Sequence, residues 1–409
     1  MIYGLRFPTF KMQPKNFIRD KTVIIRMAFI TRLPILILLF GVNILCQDAD
    51  DDPSAQQHQR RIRTPIDLEL YRSFPRECAR ECQCIPSFPL AMYCDNRKLK
   101  NIPNIPAHVR YLFLQFNEIE SVPENAFINA TLLREINFSR NKLRSSKIAK
   151  GVFGELKHLI TLNLAHNKLE ELPSPLPNTL ERLSLGFNQI TKLPADTIRS
   201  LINVTILDLG NNRLPDGAVK GNHLGKMKSL LQLNLRSNRL KSMPGDLPAS
   251  LLQLSVENNS ISSIPANYFR KTPNLISLRM AHNKLKQVPY GVFNLSKLME
   301  LNLGHNQLTK TFYVSRNLEH LYLNNNDFTT LNVTLMCPAT DITNPNHLTY
   351  IRLEKNKLRG PLNTYIYACF PRLRNFVFGE QDTAPVVETQ AAAGLVGIPM
   401  LLPNQESDR

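Results

Sequence analysis

The sequence predicts an α/β-type solenoid, in which short repeats stack side by side, and three observations predict it. An eleven-residue pattern, Leu-x-x-Leu-x-Leu-x-x-Asn-x-Leu, recurs along the chain and is complete at residues 298–308. Its asparagine returns at intervals of 24, 26, 21, 24, 26, 21, 24, 23, 20 and 30 residues. Cysteines flank the repeats at both ends. The pattern asparagines are Asn117, Asn141, Asn167, Asn188, Asn212, Asn238, Asn259, Asn283, Asn306, Asn326 and Asn356.

Each repeat is expected to contribute one short β-strand. Its second and third leucines, such as Leu162 and Leu164, alternate with polar residues and therefore point to the same side of an extended segment. Stacked repeats bury that side in a continuous core, where each leucine contributes about 1.5–3 kcal/mol. The asparagine amide should bond to backbone groups of neighbouring loops. The sequence thus predicts a leucine-rich repeat solenoid with a curved parallel β-sheet on the concave face, an irregular or short helical convex side and disulfide-capped ends.

Residues 1–46 have the features of a leader and signal peptide. The apolar run at 33–45 follows basic residues and is too short to span a bilayer comfortably, so cleavage is expected near Cys46. A signal anchor is the alternative interpretation, and either Met1 or Met27 could start the chain. Removing the leader lowers the formal net charge from +17 to about +11, which still favours a polyanionic partner.

Two segments without apolar periodicity flank the predicted repeats. Residues 47–77 form a polar arm that is predicted to be disordered. Its basic cluster of Arg60, Arg61 and Arg63 could grip sulfated glycans through charge-assisted hydrogen bonds. Residues 381–409 contain an apolar stretch interrupted by glycine and proline, too short for a membrane span, and are predicted to be a flexible tail.

Four cysteines are spaced C-x3-C-x-C-x9-C directly before the first repeat. Behind a signal peptide, such dense spacing favours disulfides over a zinc site. A repeat array exposes its core at the first repeat, so residues 78–94 are predicted to cap the array, which occupies residues 95–380. The four cysteines of the cap are Cys78, Cys82, Cys84 and Cys94.

Cys337 and Cys369 lie within an enlarged penultimate repeat and would pin a long loop across the far end of the core. Together with the cap spacing and the 24/26/21 rhythm, they make residues 74–380 similar to the small leucine-rich repeat proteoglycans of the keratan-sulfate-type class. The resemblance implies a secreted, collagen-associated matrix protein that can carry sulfated glycans, such as keratan sulfate, on asparagine. The disulfides that it implies are Cys78–Cys84, Cys82–Cys94 and Cys337–Cys369.

Six Asn-x-Ser/Thr sequons are glycan acceptors in a secreted protein. Asn129, Asn203 and Asn294 precede strands, on loops from which a glycan can project. Asn137 lies between two apolar residues of a predicted strand, so a glycan there would obstruct the concave face, and this site ranks lowest. The six acceptors are Asn129, Asn137, Asn203, Asn258, Asn294 and Asn332.

Ligands of curved repeat arrays usually meet the concave sheet, where outward side chains line up from strand to strand at a spacing of about 4.8 Å. The outward positions of this chain combine both signs of charge with aromatic rings, which suits a rod of similarly mixed charge such as a collagen triple helix. An ordinary solvated face is the alternative interpretation. The predicted ligand-binding residues are Arg236, Arg279, Tyr322, Arg352 and Glu354.

Signals of metal binding and catalysis are weak or missing. His282 and His305 occupy the same position in adjacent repeats, but two histidines without a third ligand make a poor zinc site. Residues 221–226 are one residue short of a phosphate-binding loop and lack the Ser or Thr that should follow the lysine. The sequence therefore predicts no enzyme, no cofactor and no bound metal.

These features predict a secreted matrix glycoprotein or proteoglycan that binds fibrillar collagen and helps to organise the matrix. Two alternatives stay open: a cell-adhesive or growth-factor-binding module that meets integrin-bearing cells, and a glycosaminoglycan binder that uses the basic cluster of the arm. Nucleic acid is not an expected partner, and no membrane span is expected after signal removal. Pairing with a second copy of the chain is also left open.

Overall fold

The computed structural model describes residues 77–382, apart from residues 222, 341–342 and 360–362. The predictions for the leader and signal peptide, for nearly all of the arm and for the tail beyond residue 382 lie outside the described residues. The basic cluster of Arg60, Arg61 and Arg63 lies outside them as well.

Thirteen strands of the described chain form one parallel sheet, and their order in space is their order along the chain. The middle residue of every strand from β1 to β12 is at most 2% exposed. Neighbouring strands pair middle to middle, so that Leu162 lies between Ile136 and Leu183. The strands are β1 Ala91–Tyr93, β2 Tyr111–Phe113, β3 Glu135–Asn137, β4 Thr161–Asn163, β5 Arg182–Ser184, β6 Ile206–Asp208, β7 Gln232–Asn234, β8 Gln253–Ser255, β9 Ser277–Arg279, β10 Glu300–Asn302, β11 His320–Tyr322, β12 Tyr350–Arg352 and β13 Asn375–Val377.

The segments that return from one strand to the next are irregular or contain short helices. Each must fit within the 20 to 30 residues of one repeat, which leaves room for only one or two helical turns. The α-helices are Ala195–Ser200, Asp216–Val219, Val333–Met336 and Tyr365–Cys369, and the 3-10 helices are Ser145–Lys147, Leu224–Lys226 and Tyr268–Lys271. The open parallel sheet and these short helices confirm the predicted fold class.

Phenylalanines fill the core in the first half of the array. Phe127 comes from one repeat and Phe138 and Phe153 from the next, and all three are at most 5% exposed. Their ring centroids lie 5.9 to 6.5 Å apart, within the range of favourable aromatic contacts. The core therefore continues from repeat to repeat through rings as well as leucines.

The pattern asparagines form a ladder in the loops that follow the strands. Asn188 is representative: its Oδ1 accepts the Leu169 N–H at 3.0 Å, and its Nδ2 donates to Leu164 O and Leu185 O, both at 3.0 Å. Each amide thus binds its own loop and the loop of the preceding repeat. Because these backbone groups are buried, they need such partners.

A glutamine supplies the last rung of this ladder. Gln381 donates from Nε2 to Leu353 O at 3.1 Å and to Phe378 O at 2.8 Å, and its Oε1 accepts the Leu358 N–H at 3.3 Å. These are the bonds that an asparagine makes in the earlier repeats. The hydrogen-bonded array therefore reaches residue 381, which the sequence analysis assigned to the tail.

A disulfide-bonded segment covers the first strand. Cys78 is bonded to Cys84 and Cys82 to Cys94, the pairing that the family resemblance implies. Gln83 lies antiparallel to Tyr93, donating its N–H to Tyr93 O at 2.7 Å and accepting the Tyr93 N–H at 2.9 Å. Gln83 therefore partly pairs the edge of β1 that β2 leaves free.

The disulfide predicted between Cys337 and Cys369 is not formed in the structure, where both are buried free thiols. The Cys369 thiol donates to Cys337 O at 3.5 Å, and Asn346 Nδ2 donates to Cys337 Sγ at 3.4 Å. These bonds give each sulfur a polar neighbour, and the two thiols also lie close enough to hydrogen-bond to each other. Burial raises the pKa of the Cys369 thiol to about 12, so it stays protonated. The two cysteines lie together as predicted, and the disulfide between them stays a prediction.

Candidate ligand-binding face of the sheet

The first and third residues of the strands point away from the core and form the predicted concave surface, here called the strand face. Most of them are half-buried, because side chains of the adjacent strands stand beside them. The register fixes these neighbours: Tyr322 lies between Asn302 of β10 and Arg352 of β12. A ligand that crosses the strands therefore meets ordered rows of side chains.

The carboxylate of Glu300 organises the strand face between β9 and β11. Glu300 is 6% exposed and receives two hydrogen bonds from the Arg279 guanidinium, Nε to Oε1 at 3.0 Å and Nη2 to Oε2 at 3.2 Å. The Ser277 hydroxyl donates a third bond to Oε2 at 2.7 Å. This bidentate ion pair and the hydroxyl offset the cost of burying the carboxylate. Arg279 is consequently held along the sheet, with 31% of its side chain exposed.

Two tyrosines form the centre of the strand face in the later strands. The ring centroids of Tyr322 and Tyr350 lie 5.4 Å apart, and the ring of His320 lies 5.9 Å from that of Tyr350. Burial, and then the Glu300 carboxylate, raises the pKa of Tyr322, so its phenol remains a hydrogen-bond donor at neutral pH. Arg352 forms an ion pair with Glu354 beside these rings. We refer to Arg279, Glu300, Tyr322, Tyr350, Arg352 and Glu354 as the late-strand cluster.

Two buried polar atoms in and beside the late-strand cluster have no hydrogen-bond partner among the described residues. They are Glu354 Oε2 and His320 Nδ1. An unpaired buried polar group costs about 1–3 kcal/mol. A small local rearrangement that gave either atom a partner would therefore be favourable, and a bound ligand is one source of such a partner.

The structure brings together four of the five predicted ligand-binding residues. Arg279, Tyr322, Arg352 and Glu354 all belong to the late-strand cluster, and both arginines act on the charge state of Tyr322. Arg236 does not belong to it, because it follows β7, two strands before β9, and is exposed. The role in ligand binding stays a prediction for all five residues.

Glu300 is not among the predicted ligand-binding residues, although it anchors the cluster. The alternation in 298–303 predicts that Glu300 points outward, and this much was available from the sequence. Its partners come from β9, and the length of the return segment decides which residues of β9 lie opposite. That register was not visible in the pattern.

His282 and His305 stack face to face instead of converging on a metal. Their ring centroids lie 3.8 Å apart with an interplanar angle of 14°, and Asn325 Nδ2 lies 3.3 Å from His305 Nε2. Parallel rings direct their nitrogen lone pairs side by side, whereas a tetrahedral ion needs ligands that converge. Within the described ranges, no group of three or more His, Cys, Asp or Glu side chains could hold a metal ion.

The sequon asparagines differ in exposure. Asn137 is the last residue of β3, is half-buried, and accepts the Ser139 N–H at Oδ1 at 2.9 Å. Its neighbours in the sheet are Phe113 and Asn163. A glycan attached to Asn137 would have to stand on the strand face between them. The exposed sequon asparagines are Asn129, Asn203, Asn258, Asn294 and Asn332.

We expect the folded, secreted protein to carry no glycan on Asn137 and to carry one on Asn129. The reason is that Asn129 is exposed on a loop, whereas Asn137 is engaged within the sheet. Peptide mapping after N-glycanase treatment in heavy-oxygen water measures the glycan occupancy of Asn129 and Asn137, because each glycosylated asparagine is converted to labelled aspartate. Equal labelling of Asn137 and Asn129 would contradict the prediction.

Comparisons with known proteins agree with the repeats and the cap. The leucine rich repeat family matches residues 107–169, 178–240, 249–308 and 317–338, and the leucine rich repeat N-terminal domain matches residues 77–106. The chain is 50% identical over 367 residues to osteomodulin of Bos taurus, covering 87% of each chain. It is 43% identical over 325 residues to keratocan of Bos taurus, covering 77% of this chain and 92% of keratocan.

A solved structure supports the fold independently. The functional domain of InlJ from Listeria monocytogenes superposes with a TM-score of 0.55, covering 72% of this chain and 64% of that chain. At 18% identity, this likeness shows the solenoid fold and nothing about function.

The chain belongs to the small leucine-rich repeat proteoglycans, as its repeats, its N-terminal cap and its relatives show. Proteins of this class are structural proteins of the extracellular matrix and not enzymes, and this chain is one of them, secreted into the matrix. Among the relatives compared, it is more similar to osteomodulin than to keratocan. In the part of the chain that the structure describes, no helix has the length and apolar composition that crossing a membrane requires.

Proposed function

We propose that the chain binds fibrillar collagen through the late-strand cluster and thereby helps to organise matrix fibrils. Its relatives are matrix proteoglycans, which supports a partner in the matrix. The observation that carries the proposal is the Tyr322–Tyr350 ring pair, flanked by the Arg279–Glu300 and Arg352–Glu354 ion pairs. A collagen triple helix displays proline rings and charges of both signs along a rod, and this cluster offers rings and both signs of charge in return.

The geometry of the cluster favours binding without a large entropic cost. The bidentate bond to Glu300 already restricts Arg279, and packing already restricts the two tyrosine rings. Side chains that are ordered before binding lose less freedom when a partner arrives. Each contact is weak, but a fibril repeats its surface, so several molecules bound along one fibril act together. Glycans on exposed loops would then set the spacing between fibrils.

We expect the double variant Tyr322→Ala/Arg352→Gln to bind reconstituted collagen fibrils at least about tenfold more weakly than the wild type, because buried tyrosine and arginine anchors dominate most interfaces. The matched control is Tyr111→Ala/Arg182→Gln, which removes the same residue types from β2 and β5 of the same strand face. The control should bind within about twofold of the wild type. Binding is measured by fibril co-sedimentation, with fibril diameter recorded by electron microscopy.

The two double variants test whether the late-strand cluster is the collagen site, whereas the wild type tests whether the chain binds collagen at all. If both double variants bind as the wild type does, or if the control loses more affinity, the late-strand cluster is not the collagen site. If the wild type binds no fibrils while its thermal unfolding shows a folded array, the collagen proposal fails altogether.

A further inference from the structure

The loops that follow the strands form a second surface, which the proposed collagen site does not use. The residue before each ladder asparagine has a left-handed backbone, with φ between 51° and 57°. The residue after it donates its N–H to the preceding repeat, as Lys168 does to Leu143 O at 2.9 Å. These two columns of residues therefore stay in register along the array. We call one part of this surface the loop edge; its residues are Phe116, Arg140, His166 and Phe187 in the first column and Lys142, Lys168, Arg213 and Arg239 in the second.

Flat rings and a guanidinium stack along the first column. The Arg140 guanidinium lies 5.2 Å from the centroid of the Phe116 ring. The rings of His166 and Phe187 stack with centroids 4.0 Å apart and an interplanar angle of 9°. Burial, and then the charge of Arg140, lowers the pKa of His166, so this ring is neutral at pH 7 and completes an uncharged platform. Phe116 is 54% exposed and Phe187 is 50% exposed.

Positive charges without ion-pair partners line the second column. Lys142 is paired with Glu118 at 3.0 Å, but no described carboxylate lies within salt-bridge distance of Lys168, Arg213 or Arg239. All three are exposed. Hydrogen bonds fix their backbone positions, since the Arg213 N–H donates to Ile190 O and the Arg239 N–H to Leu214 O, both at 3.0 Å. Like charges held in a line repel one another, and a linear polyanion relieves that repulsion.

We propose that the loop edge binds a sulfated glycosaminoglycan chain lying across the repeats. Sulfate groups would pair with Lys168, Arg213 and Arg239, while the apolar face of a sugar ring would pack on the exposed Phe187 ring. A polysaccharide suits the surface because it is linear, polyanionic and built of rings, whereas the two columns run in register along the array and present cationic and aromatic side chains. The matrix location of the relatives makes such polymers available to the chain. The site is separate from the late-strand cluster, so it does not depend on collagen binding.

The test uses the full secreted protein and a size-defined heparin oligosaccharide, with N-glycans removed so that no glycan attached to the protein can occupy the loop edge. The variant Lys168→Glu/Arg213→Glu/Arg239→Glu should bind about tenfold more weakly at physiological salt. The slope of log affinity against log salt should fall by about three, one for each lost contact. The matched control is Lys150→Glu/Lys226→Glu/Lys228→Glu, which changes the net charge equally at exposed positions of the return segments. It should bind within about threefold of the wild type.

A second variant tests the rings without changing the charge. Phe187→Asn introduces the residue type that the next repeat has at the same left-handed position, Asn211, so the backbone should be preserved. We expect severalfold weaker binding with an unchanged salt slope, and unchanged thermal unfolding. Completely desulfated heparin should not bind the wild type.

Two outcomes would overturn the proposal. The first is an edge variant that binds heparin no more weakly than the control variant. The second is complete loss of binding on changing Arg60, Arg61 and Arg63 to glutamate, since that result would assign all of the binding to the arm. Arm and edge variants that each lose part of the affinity support the loop edge as a binding site in its own right.

Discussion

Replacing Asn188 by alanine is expected to lower the free energy of unfolding by about 2–4 kcal/mol. The change removes four hydrogen bonds and leaves the buried Leu169 N–H without an acceptor. The three carbonyls lose less, because each has a second donor: Leu164 O accepts from Asn167, Leu185 O from Asn212 and Gly186 O from the His166 N–H. The decrease in the free energy of unfolding therefore comes mainly from the unpaired Leu169 N–H and from the lost hydrogen bonds. Urea unfolding followed by circular dichroism measures it.

The matched control for this prediction is the neighbouring residue. Gln189 is half-buried, and its side chain makes no hydrogen bond to the described residues, so it takes no part in the ladder. Gln189→Ala should change the free energy of unfolding by about 0.5 kcal/mol or less. Equal losses for the two variants would mean that the ladder does not stabilise the array.

Removing the Cys82–Cys94 disulfide, by changing both cysteines to alanine, should destabilise the protein by about 3 kcal/mol. The bond closes a loop with a sequence separation of 12 and holds the segment that covers β1. Without it, Gln83 and Tyr93 are held together only by their backbone bonds, and the first strand becomes accessible. Thermal unfolding should shift downward, and limited proteolysis should cut first before β2.

The buried pair Cys337 and Cys369 provides the comparison. Because the structure holds them as free thiols, the double alanine variant loses packing but no cross-link. This variant should be destabilised less than the cap variant. A reducing agent should lower the free energy of unfolding of the wild type only by the amount that loss of the cap disulfides accounts for. A loss equal to that of the cap variant would show that the far pair is oxidised in the secreted protein.

Much of the fold follows from local pattern. The alternation around Leu162 and Leu164 predicts which side of each strand is buried, and the recurring asparagine predicts the ladder. Both are inferred from the spacing of residues within one repeat, which the sequence displays directly. Gln381 escaped the same reasoning, because the pattern specifies an asparagine, although a glutamine amide offers the same donor and acceptor one methylene further out.

Less of the candidate site could be predicted, because its contacts cross between repeats. Arg279, Tyr322, Arg352 and Glu354 were found as outward residues, but the anchoring role of Glu300 depends on the register between β9 and β10. Likewise, the contact between His166 and Phe187 depends on both having a left-handed backbone one residue before a ladder asparagine. Cys337 and Cys369 were placed together correctly, but sulfur orientation is a detail that spacing does not determine.

The asparagine ladder also gives the array a direction. Asn188 bonds to backbone groups of the repeat before it, and the loop of its own repeat is completed by Asn212 of the repeat after it. During synthesis a repeat can therefore close only once the following 20 to 30 residues have emerged, a delay of seconds at about 5–20 residues per second. As the chain lengthens, the repeats near the N-terminal cap receive these partners first, and within residues 77–382 Gln381 supplies the last amide.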